Sequence, residues 1–98
     1  MIVITGHITV DPAEVHALAA DLRAGVERTK AEDGCLFYAF AIDDEAAGTV
    51  LACERWRDEE SLATHLATPA VADLFAKWGA KVSFAVVKHD ATNERPMG

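Results

Sequence analysis

Few positive charges, few cysteines and no long apolar run set the first limits. Nine Lys plus Arg stand against sixteen Asp plus Glu in 98 residues, a formal net charge of −7. That balance argues against a nucleic-acid binder, which needs clustered cations to displace phosphate counterions. It also opposes adsorption to an anionic membrane surface. No segment approaches the roughly 20 apolar residues of a spanning helix. The start, Met1-Ile2-Val3-Ile4-Thr5, lacks the basic and long apolar regions of a secretory leader. The two cysteines, in Gly34-Cys35-Leu36 and Ala52-Cys53-Glu54, form no metal or redox spacing. They are expected as reduced thiols of a cytoplasmic protein. Four histidines are scattered without metal-ligand spacing, so no metal is expected. Neither a G-x-G-x-x-G nor a P-loop is present, so no cofactor is expected either.

What is present reads as one domain. Half the residues (51%) are apolar and 26% are charged, a globular balance. A chain this short buries roughly 60–68% of its unfolded surface, so its core is thin.

Ile2 to Val10 alternates, with Ile2, Ile4, Ile8 and Val10 on one face and Gly6 among them. Val3, Thr5, His7 and Thr9 share the other. Asp11-Pro12-Ala13-Glu14 reads as a capped helix start with a D-x-x-E box. Val15, Leu18, Ala19, Leu22 and Val26 then predict one helix of about five turns. Gly34 is its left-handed stop. Two strands follow, Cys35 to Ile42 and Thr49 to Trp56, joined by the polar turn 43–48 into an antiparallel hairpin. Asp58 caps a second helical region that carries Leu62, His65 and Leu66 on one face. Thr68-Pro69 restarts it, with Val71, Leu74, Phe75 and Trp78 as an apolar stripe ending at Gly79. Lys81 to Lys88 is the last strand. The order predicts an α+β, ferredoxin-like βαββαβ domain over 1–88: a four-stranded antiparallel sheet with helices on one face. Residues 89–98 form a polar tail, mobile or lying across a partner.

Two helices cover one side of such a sheet. The other side carries Phe37, Ala39 and Ala41, or else Leu36, Tyr38, Phe40 and Ile42, depending on register. Either set predicts a homodimer with sheets packed face to face.

Three short patterns then stand out in order: Gly34-Cys35 with Tyr38, Glu54 with Trp56, and His65 with Thr68-Pro69. Together they resemble the G-C-x-x-Y, E-x-W and H-x-x-[TS]-P patterns of the antibiotic biosynthesis monooxygenase family, small dimeric α/β-barrel proteins. The resemblance spans nearly the whole chain. It implies a cofactor-independent monooxygenase acting with molecular oxygen on a small electron-rich aromatic such as a quinol. A different class, a non-catalytic dimer binding a small ligand in the same pocket, is the alternative. The haem-degrading branch of the family carries an axial histidine late in the second helical region. Ala72 to Trp78 has none, which argues against that branch.

His65 lies between Leu62 and Leu66 on a buried helix face. It is either a general base in a pocket or a structural group bonded to Glu54 or a backbone carbonyl. Glu54 alternates with Val50, Ala52 and Trp56, so it is partly buried and needs a partner. His65 or Arg55 of a neighbouring chain could supply one. Under the resemblance His65 is the base, Glu54 its orienting partner, and Tyr38 and Trp56 the ring contacts. For Tyr38 and Trp56 a plain core role stands beside that reading.

Overall fold

A computed structural model describes residues 1–98. Alternating apolar residues make β1 (Ile2–Thr9), whose Ile2, Ile4 and Ile8 face the helix layer. Asp11 accepts a hydrogen bond from the Ala13 N–H (2.9 Å) and opens a single 3-10 turn, Pro12–Glu14. The expected reciprocal box does not close, because the Glu14 carboxylate is taken by Lys81 Nζ at 2.9 Å. The predicted first helix is divided at Gly25 into α1 (Val15–Ala24) and α2 (Val26–Lys30). Glycine is a weak helix former, and the break falls where it stands. Gly34 does adopt the left-handed conformation, with φ +82°. A side chain there would run into the Ser61 hydroxyl, so glycine lets this turn press against the next helix.

The hairpin forms as predicted, from β2 (Cys35–Asp44) and β3 (Thr49–Trp56). Asp58 caps α3 (Glu59–Leu66), accepting from the Ser61 N–H at 2.8 Å. Thr68 caps α4 (Pro69–Trp78). The last strand, β4, runs from Ser83 to Asp90, two residues further along than its expected span at each end. The sheet order is β2-β3-β1-β4, with every neighbouring pair antiparallel. This is the expected ferredoxin-like sheet with all helices on one side.

The pairing settles which residues of β2 face the helices. Tyr38, Phe40 and Ile42 turn inward and pack on the core, while Phe37 on the open face is 42% exposed. Val15, Leu18 and Val50 are fully enclosed in the larger core cluster, and Trp56 is fully enclosed in a second one with Ile2, Tyr38 and Leu62. On β4 only Val86 is more than marginally sheltered, so this edge strand extends beyond the helix layer. The tail returns to β3, where Glu94 pairs with Arg55, whose guanidinium lies 5.2 Å from the Phe37 ring centroid.

Candidate active site

Helix α3 delivers His65 to the sheet with only 3% of its surface exposed. Its Nδ1 lies 3.0 and 3.3 Å from the two carboxylate oxygens of Glu32. The backbone of Glu32 is itself fixed: its N–H donates to the Thr29 carbonyl (2.9 Å), and its carbonyl accepts from the Cys35 N–H (3.1 Å). A carboxylate accepts hydrogen bonds and cannot donate them, so Nδ1 carries a proton, and in the neutral imidazole Nε2 is the nitrogen with the lone pair. Nε2 makes no hydrogen bond, yet no fully buried side-chain nitrogen or oxygen lacks a partner. The free nitrogen therefore reaches open space, and His65 lines a cavity.

The Glu54–His65 pair expected from sequence is replaced by this Glu32–His65 pair. Glu54 instead accepts from the Trp56 indole N–H at 2.9 Å. Burial pushes the Glu54 carboxyl above its usual range, against the opposing pull of Trp56 and His65. Trp56 is fully enclosed and does not border the cavity. Its ring lies against His65 instead, with centroids 4.7 Å apart and planes inclined by 31°. It supports the imidazole rather than touching whatever fills the cavity. Tyr38 does border the cavity, edge-on to His65 at 5.3 Å and to Phe40 at 5.0 Å. Burial, then the charge of Glu54, pushes its phenol above the usual range, so it remains a hydroxyl. Burial also raises the Cys35 thiol, helped by Glu32 and Glu54, which keeps a thiolate out of the site.

The local sequence explains the arrangement. The Thr68 hydroxyl donates to the His65 carbonyl (2.8 Å) and accepts from the Val71 N–H, while Pro69 opens α4. One threonine thus ties the end of the His65 helix to the start of the next. Glu54 and Trp56 stand two apart on one strand face, the spacing their hydrogen bond requires.

The cavity encloses about 320 Å³ between the helices and the sheet, and 17 of its 21 lining residues are hydrophobic. That volume lies within the usual range of small-molecule sites, about 300–1,000 Å³. Its ionisable lining groups besides Tyr38 are Glu54, His65 and Lys88. Phe75 and Phe84, each 53% exposed with rings 5.8 Å apart, stand at the rim between α4 and β4. No three His, Cys, Asp or Glu side chains lie close enough together to hold a metal ion. No helix is long and apolar enough to cross a membrane.

Sequence reasoning missed Glu32 and Lys88. Glu32 sits in a polar turn, where a carboxylate looks solvated. The one signal in the sequence was a buried histidine in need of a partner, which does not say which carboxylate supplies it.

Comparison with known proteins agrees with this architecture. Residues 1–77 match the antibiotic biosynthesis monooxygenase family. An uncharacterized protein of Synechocystis is 32% identical over 68 residues, which cover 69% of this chain and 46% of that protein. This chain thus matches less than half the length of that curated relative. The Rv0793 protein of Mycobacterium tuberculosis superposes with a TM-score of 0.83 at 26% identity, covering 97% of this chain and 98% of that one. A Deinococcus radiodurans protein described as a candidate antibiotic biosynthesis monooxygenase gives 0.86 at 24% identity, covering 100% and 99%. At that identity the likeness is one of fold.

Proposed function

We propose that this chain, which belongs to the antibiotic biosynthesis monooxygenase family, is a cofactor-independent monooxygenase that oxidises a small, quinol-like aromatic with molecular oxygen. The observation that carries this reading is the oriented His65: Nδ1 held by Glu32, Nε2 free at an apolar cavity. Triplet oxygen reacts slowly with closed-shell organic molecules, but a deprotonated quinol gives up an electron readily. His65 Nε2 takes the hydroxyl proton, and the Glu32 carboxylate stabilises the resulting imidazolium. Glu54, on the cavity wall, accepts from a substrate hydroxyl, and the Tyr38 ring, also on the wall, lies against the substrate's ring. The substrate anion passes one electron to oxygen, and the two radicals combine at a ring carbon. Loss of water then leaves a hydroxylated quinone. One quinol and one O2 become one hydroxyquinone and one water, so the substrate supplies every electron. The apolar walls keep bulk water from the radical pair.

Isotope-labelled oxygen tests the reaction. One labelled atom in the product and one in water support it; no label in the product counts against it.

A second copy belongs to this reading. Phe37 and Leu51 are 42% and 41% exposed on the helix-free face, and sheet-to-sheet pairing would cover them. A dimer by sedimentation that dissociates in Phe37→Glu/Leu51→Glu supports this, and a monomeric parent protein contradicts it. The two free, half-buried thiols suit a reducing, cytoplasmic setting.

A further inference from the structure

The sheet floor of the cavity carries one residue from each strand in a single row. Tyr38 pairs with Glu54, Glu54 with Ile4, and Ile4 with Lys88. Tyr38, Glu54, Ile4 and Lys88 all line the cavity. Strands lie about 4.8 Å apart, so the Cα atoms of Glu54 and Lys88 are separated by roughly 10 Å across the row. The row is therefore polarised. His65, Glu54 and Tyr38 occupy its β2–β3 end, and the single cation among the lining residues stands at the β4 edge.

Lys88 is not committed to holding the fold together. Its Nζ meets Glu59 at 2.8 Å, but the two side chains are 51% and 58% exposed. Ion pairs in such surroundings are weak and yield to competing partners. The other lysines beside this layer, Lys77 and Lys81, pair with Asp21 and Glu14 and do not line the cavity. A neutral ligand leaves the Lys88 ammonium on Glu59 and gains nothing from it. A carboxylate reaching that edge exchanges with Glu59.

We infer that the ligand of this cavity is a planar aromatic carboxylate, lying across the sheet with its reacting hydroxyl at His65 and its carboxylate on Lys88. The inference rests on the cavity being the substrate site, as proposed above.

Calorimetric titration of the whole protein with naphthoate and with neutral naphthol separates the two readings. Lys88→Met is expected to weaken naphthoate about tenfold and leave naphthol unchanged. Glu59→Gln is expected to tighten naphthoate by freeing the ammonium, and added salt to weaken naphthoate alone. Equal naphthoate affinity in the parent protein and Lys88→Met, with naphthol still bound, overturns the role of Lys88 and spares the cavity. Equal weakening of both ligands makes Lys88 a packing residue and also overturns it. Failure of the parent protein to bind either ligand overturns the substrate-site reading and this inference with it.

Discussion

The Nδ1 of His65 meets the carboxylate of Glu32 at 3.0 Å, joining α3 to a turn 33 residues earlier in the chain. The pair fixes both the position of a buried imidazole and its tautomer, leaving Nε2 toward the cavity. Glu32→Gln retains an oxygen that can accept from Nδ1, and little stability should be lost. Glu32→Ala leaves a buried N–H without its partner and should cost about 1–3 kcal/mol in denaturant unfolding. Coupling measured by a double-mutant cycle should appear between positions 32 and 65. Stronger coupling of His65 to Glu54 than to Glu32 would contradict the pairing described here.

Glu54 should lower stability at neutral pH. Its folded carboxyl titrates above the ordinary value of 4.5 because it is buried. The stability linked to its protonated form is full below that value and is lost as pH rises through the higher folded value. Glu54→Gln should therefore raise the melting temperature at pH 7, with the gain shrinking toward pH 4. It should also slow turnover, since Glu54 lines the cavity. A melting curve at pH 7 below that of the parent protein would show that the carboxylate stabilises the fold instead.

Gly6 sits in β1 with φ +154°, and a side chain there would strike the Ala85 carbonyl of β4. Gly6→Ala should push the edge strand away, at about 1–3 kcal/mol for the strained backbone alone. Amide exchange should accelerate along 83–90 and much less along the β2–β3 hairpin. Uniform acceleration across the sheet would place the damage elsewhere.

The fold was legible because periodicity and punctuation agree along this chain. Alternating Ile2, Ile4 and Ile8 gave a strand, and Asp58 and Thr68-Pro69 gave helix starts that the structure confirms. The break at Gly25 was not legible, since Leu22 and Val26 keep helical spacing across it. For the site, spacing along one strand or helix was informative. It brought Glu54 and Trp56 onto one face and turned His65 inward. Partners set by tertiary approach were not readable in this way. Glu32 meets His65 only because Gly34 lets its turn pack against Ser61, and Lys88 joins Glu54 through Ile4 only once β4 pairs with β1. For Trp56 the sequence left ligand contact and a plain core role side by side, and the structure gives the core role, with the ring enclosed against His65.

The most direct measurement is oxygen uptake by metal-free protein with a panel of quinols, comparing the parent protein with His65→Asn. Melting curves of both must be recorded beside the rates. A base acting through Nε2 predicts quinol-dependent uptake that falls about 100-fold or more in His65→Asn while the protein stays folded. No uptake with any quinol, or full uptake by folded His65→Asn, would contradict a catalytic His65.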